Sequence, residues 1–122
     1  MRPTDFLLAA RGFLAIEPFT EAQRRSAALM ARTGVEAALD SYWDATRYEL
    51  RRCSRKTQLL CLAELSNPHT SQAVELAWRT LSDLCHYRPY QITPLASEID
   101  NATTLAEKAV LALESAGLNR AI

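Results

Sequence analysis

Little in this sequence can build a sheet. Glycine occurs only three times in 122 residues, and nowhere do β-branched or aromatic residues alternate with polar ones over the length of a strand. Lysine is almost missing. Of the 14 basic residues, 12 are arginine. No apolar run approaches the roughly 18 residues that a membrane span needs. The stretch "FLLAARGFLAI" near the start is cut by Arg11 and shows neither a long apolar core nor a cleavage site of the secretory kind. The three cysteines, Cys53, Cys61 and Cys85, are an odd number and form no C-x-x-C pair. Free thiols in a reducing compartment are therefore expected, and with them a cytoplasmic location. Formal net charge is zero, so no overall field draws the chain to nucleic acid or to a membrane surface.

What is present is helix. Apolar residues make up 48% and charged residues 23%, the balance of a folded globular chain, and 122 residues suit one domain with one core. A first helix, with Thr4 as its cap, carries Phe6, Leu7, Ala10, Phe13 and Leu14 at helical spacing and ends by Pro18. Thr20 and Gln23 form a capping box for a long second helix, expected to reach about Arg52. Its stripe is Ala27, Ala28, Ala31, Val35, Ala38, Leu39, Tyr42 and Trp43. Gly34 costs about 1 kcal/mol inside a helix, and among so many alanines it points to a close approach by another helix. Ser54 opens a short third helix through Glu64 or Leu65 that carries Leu59, Leu60, Cys61 and Leu62. Asn67-Pro68 breaks the helix, Thr70 or Ser71 caps a fourth helix to about His86, and a fifth runs from about Pro94 to Ala116 with Gly117 as its stop. The expected fold is all-α: one domain, residues 1–122, forming a four- to five-helix up-down bundle of short connections, with a core of about 4–115 and a tail of 117–122.

The stretch "WRTLSDLCHYRPYQ", Trp78 to Gln91, carries the chemistry. At 100° per residue, Val74, Trp78, Leu81, Leu84 and Cys85 face inward, while Arg79, Ser82, Asp83 and His86 form a polar stripe beside them. Arg79 and Asp83 are one turn apart, as are Asp83 and His86, so the three side chains can meet. Tyr87, Arg88 and Tyr90 follow at the helix end. Arginine holds phosphate with a two-pronged fork and histidine moves protons near neutral pH, a pairing suited to phosphodiester chemistry. The same residues also make an ordinary exposed ion pair and a helix-end cap.

Arg79-x6-His86 fits the loose Arg-x(4–6)-His motif of HEPN domains. A long helix like "ARTGVEAALDSYW", a short helix and a helix ending in "CHYRPYQITP" resemble small actinobacterial HEPN-like proteins over roughly residues 4–115. The resemblance implies a helical bundle, often dimeric, drawn from a family that contains metal-independent ribonucleases, toxin components and non-catalytic nucleotide- or partner-binding members. It implies Arg79 and His86 as the catalytic pair where there is catalysis. Two departures stand out: Thr80 follows the motif arginine where a more polar residue is usual, and Asp83 puts negative charge beside the phosphate position. The expected function is therefore binding, as a homodimer or with a partner such as an antitoxin or a nucleotide, through Asp83, Tyr87, Arg88 and Tyr90. A metal-independent endoribonuclease of toxin or phage-defence type and a structural helical adaptor are the alternatives.

A second basic cluster, Arg47, Arg51, Arg52, Arg55 and Lys56, is opposed in its own stretch only by Glu49 and offers phosphate contacts should RNA bind. No glycine-rich phosphate loop, Gly-x-Ser-x-Gly or metal-ligand spacing occurs, so neither a cofactor nor a metal is expected.

Overall fold

In the computed structural model, residues 1–16, 20–86 and 94–121 are described. Among them are five α-helices and no strand: α1 Pro3–Leu14, α2 Glu21–Thr46, α3 Arg55–Leu65, α4 Pro68–Cys85 and α5 Ala96–Ala121, with a 3₁₀ turn, Tyr48–Arg52, between α2 and α3. Helix makes up 88% of these residues, and the elements pack as one bundle.

The caps explain most of the starts. Thr20 Oγ1 accepts from the Gln23 N–H at 3.2 Å, and the Thr20 N–H donates back to Gln23 Oε1 at 3.0 Å. Ser54 caps α3 through the Thr57 N–H. Two expected caps move. Pro3, not Thr4, opens α1, since proline has no N–H to leave unsatisfied in a first turn; Asp5 accepts from the Arg2 N–H at 2.8 Å. Asn67 caps α4 through the Thr70 N–H at 2.8 Å, with Pro68 as the first helical residue, so the Asn-Pro pair that separates α4 from α3 also begins it, in place of Thr70 or Ser71.

Two ends also differ. The second helix stops at Thr46, where the Thr46 hydroxyl bonds back to the Tyr42 carbonyl at 2.7 Å, and the chain to Arg52 tightens into the 3₁₀ turn. The fifth helix runs through Gly117 to Ala121, so there is no separate tail beginning at 117. Gly117 lies in the helix opposite the Tyr42 ring, which a Cβ there would meet at 3.9 Å.

The meeting ends give the directions. Arg24 of α2 donates to the Pro94 carbonyl just ahead of α5 at 3.3 Å, and Ala27, Ala28 and Ile99 share one apolar cluster. At the far end Tyr42 lies beside Gly117. The two longest helices, α2 and α5, therefore run parallel. Leu84 and Cys85, at the end of α4, pack at the Ile99 end, so α4 runs the other way. So does α1, whose Arg11 reaches Asp100 and Glu107 while its Pro3 lies by Gly117.

Parallel helices in an up-down bundle are diagonal, and this diagonal is short. Ala27, Ala31 and Ala38 of α2 and Ala102, Ala106 and Ala109 of α5 are all buried, and the two helices pack directly on each other. Alanine lets the two backbones approach, while α1 and α4 are pushed to opposite sides. Larger side chains fill the flanks: Leu39, Trp43, Leu62, Leu81, Ile99 and Leu113 are fully buried, each contributing about 1.5–3 kcal/mol by leaving water.

The whole α2 stripe read from the sequence is buried. On α4 the inward row is Thr70, Ser71, Val74, Ala77 and Leu81. Trp78, Leu84 and Cys85, expected in that row, are only partly covered at its edge. Leu60 and Leu95 are exposed, although each continued an apolar pattern. Gly34 does receive another helix: a Cβ there would stand 3.1 Å from both Leu7 Cδ2 and the Pro3 carbonyl oxygen of α1.

Candidate functional site

Helix α4 presents Glu75, Arg79, Asp83 and His86 on successive turns of one exposed strip. The strip forms because the apolar residues of α4 take the opposite face. Arg79 and His86 are both accessible, but two turns, about 10 Å of helical rise, separate them.

Arg79 pairs with Glu75, not with Asp83. Its Nη2 donates to Glu75 Oε1 at 2.6 Å, and both side chains are more than half exposed. Helical side chains lean toward the N-terminus, so an arginine reaches back more readily than forward, and a glutamate preceding the cation is the favoured order. Asp83 is also one methylene shorter. Among the described residues no hydrogen bond or ion pair links Asp83 or His86 to Arg79. The three side chains read as a unit are therefore not joined. His86 is the C-cap of α4, its N–H donating to the Asp83 carbonyl at 3.3 Å. Tyr87, Arg88 and Tyr90 lie outside the described residues.

The second basic cluster is mostly engaged. Arg51 meets Asp44 at 2.9 Å and Asp40 at 3.3 Å, and these carboxylates, first the hydrogen bond to Asp44, raise its already high pKa further. Arg55 meets Asp40 at 2.9 Å and Glu36 at 3.4 Å, and donates to Gln58 Oε1 at 2.7 Å. Arg47 has Glu49 at 3.9 Å. Within the cluster, Arg52 and Lys56 are exposed and in no ion pair among the described residues. Sequence reading missed this because it counted charge along the chain. Glu36, Asp40 and Asp44 come from α2, and their spacing of four residues was the available signal: one carboxylate per turn on one face.

A third polar group was also missed. Arg32 of α2 lies over the Trp78 ring of α4, its guanidinium carbon 4.7 Å from the ring centre, with Glu36 3.7 Å from its Nε. Cys85 is next to it. Burial raises the Cys85 thiol pKa, and Arg32 opposes that only in part.

A shallow apolar groove of about 160 Å³ lies at the other end of the bundle, between Pro3 of α1, Ala38 and Tyr42 of α2, and Leu113 and Gly117 of α5. It is remote from His86. Among the described residues no three His, Cys, Asp or Glu side chains gather in a way that could hold a metal ion, and no helix is long and apolar enough to cross a membrane. Compared with protein-family models, with curated proteins and with solved structures, the chain matches none.

Proposed function

We propose that this chain is a small HEPN-like helical bundle that acts by binding, as a homodimer or with a protein or nucleotide partner, rather than as a strong catalyst. The observation that carries the reading is the occupied fork of Arg79: Glu75 holds it at 2.6 Å, and Asp83 follows on the next turn. A phosphate arriving at Arg79 has to displace one carboxylate and remain beside another. The strip is exposed along its length, which suits recognition of a surface more than enclosure of a scissile bond.

The second reading, a metal-independent endoribonuclease of toxin type restrained by an antitoxin, draws on one observation. Arg79 and His86 are both exposed along α4 and are accessible to a polymer.

Incubating the purified protein with single-stranded and hairpin RNA in EDTA tests both. The binding reading expects intact RNA, and light scattering at about twice 13.6 kDa. Strong cleavage that is lost in both Arg79→Ala and His86→Ala overturns it in favour of the ribonuclease, with a 2′,3′-cyclic phosphate end as the product of attack by the neighbouring hydroxyl. A single-chain mass throughout the micromolar range removes the homodimer from it.

A further inference from the structure

The segment 48–65, the 3₁₀ turn plus α3, is held differently from the rest. The 3₁₀ turn buries no residue and α3 buries two, Gln58 and Leu62. Leu50, Leu59, Cys61 and Leu65 are only partly covered, and Leu60 is 66% exposed. The other four helices share a core that this segment covers on one side.

Leu62 is the segment's one fully buried apolar anchor in the common core; its other fastenings are polar and of two kinds. Inside the segment, buried Gln58 donates through Nε2 to the Leu50 carbonyl at 2.8 Å and the Cys53 carbonyl at 3.3 Å, while its Oε1 accepts from Arg55. These bonds tie the turn to α3, so the two parts stand or fall together. Across to α2, Asp40 takes both Arg51 and Arg55, with Asp44 and Glu36 as their second partners. The segment is flanked by non-helical residues, Arg47 before it and the extended Ser66 after it.

We propose that residues 48–65 form a latched flap, which opens as one unit when the ion pairs centred on Asp40 are screened or removed, while α1, α2, α4 and α5 stay folded. An 11-residue helix detached from its support is marginal in water, so opening appears as amide exchange across the whole segment. Partly exposed ion pairs weaken with salt, whereas the apolar core does not. The open state frees the Arg51 and Arg55 guanidinium groups and bares the apolar bed under Leu59 and Leu62. This inference does not depend on the HEPN-like reading.

Native-state hydrogen exchange on the full chain, at about 0.05 M and 1 M NaCl, tests it. Amides of α3 are expected to exchange at least about tenfold faster than those of 31–43 in α2 and 102–113 in α5. High salt should widen that gap by about threefold or more. Asp40→Asn should reproduce the widening at low salt and abolish most of the salt response. Arg51→Gln, which changes the latch without altering α2, should act in the same direction. Exchange of α3 at the rate of the core helices overturns the proposal, as does a gap that neither salt nor either variant changes. Uniform acceleration of all helices by both variants also overturns it, since the ion pairs then belong to global stability.

Discussion

The guanidinium of Arg79 is bound to Glu75 at 2.6 Å, one turn toward the N-terminus, and not to Asp83, one turn the other way. The two carboxylates thus have different roles. Glu75 competes directly for the fork that a phosphate would use, and Asp83 contributes negative potential at a distance. An exposed pair of this kind contributes a few tenths of a kcal/mol. Glu75→Gln should therefore tighten binding of a short single-stranded RNA by no more than about twofold, and Asp83→Asn by less. Fluorescence anisotropy at low salt measures both. A tenfold gain for Asp83→Asn, with none for Glu75→Gln, would show that Asp83 and not Glu75 guards the arginine.

Gly34 makes a second, independent test, of the fold rather than of the site. A Cβ there stands 3.1 Å from Leu7 Cδ2, which can turn aside, and 3.1 Å from the Pro3 carbonyl oxygen, which cannot. Gly34→Ala gains about 1 kcal/mol of helix propensity and loses a comparable amount to that contact, so its melting temperature should stay near the native value. Gly34→Val adds two methyl groups with nowhere to go and should cost about 2 kcal/mol or more. Thermal unfolding followed at 222 nm distinguishes them. Equal stability for all three chains would mean that α1 does not pack closely at this point.

Much of this architecture is legible in the residue pattern, for a physical reason. The burial of Ala27 through Trp43 follows from a 3.6-residue period, which belongs to one helix and needs no partner to be read. The exposed strip of Arg79 and His86 follows in the same way. What resisted reading depends on contacts between elements. The end of α2 is fixed at Thr46, and the chain beyond it is organised by Gln58, a residue on a different helix that takes the carbonyls of Leu50 and Cys53. Gly117 has the composition of a stop but lies within α5, where Tyr42 covers it. The neutralisation of Arg51 and Arg55 needed three carboxylates from α2. The partner of Arg79 is the exception, since the order glutamate-then-arginine at four residues is a local rule.

Arg11 joins α1 to α5 through three side chains. It pairs with Asp100, donates to Thr104 Oγ1 at 2.9 Å and meets Glu107 at 2.5 Å. The Glu107 hydrogen bond is the largest of the influences that raise its pKa, so the cation persists at every accessible pH. Because the guanidinium is about one-third exposed, solvent screens part of its attraction. Arg11→Ala is expected to cost about 1 kcal/mol, and Arg11→Lys, which keeps the charge but not the fork, to recover less than half of it. Urea melts should show the native advantage shrinking between low and high salt. An Arg11→Ala chain as stable as the native one would make the cluster a crossing of charges without energetic consequence.

The Cys85 thiol should stand out in its response to pH. Cys85 is half-buried where α4 packs on α2, and burial disfavours its thiolate; the nearby Arg32 cation pulls the other way and only partly offsets it. Thiolate is the form that reacts with iodoacetamide, and a raised pKa means less thiolate at any given pH below it. Alkylation of Cys85 should therefore stay slow through the range near pH 8.5 where an ordinary thiol accelerates, and rise only at higher pH. In the unfolded chain the same thiol has its ordinary pKa, so a pH above that value favours unfolding slightly. The stabilising effect of a neutral Cys85 is complete at pH 7 and declines as pH climbs through the ordinary thiol value toward the folded one. Arg32→Gln removes the opposing cation and should slow Cys85 alkylation further, whereas adding denaturant should raise Cys85 alkylation to the rate of an unfolded-chain thiol. Mass spectrometry of peptides labelled across pH 7 to 10 reads all of these. Faster labelling of Cys85 than of Cys53 and Cys61 at neutral pH would mean that Arg32, and not burial, governs the thiol, and would turn Cys85 from an edge residue of the core into a reactive one.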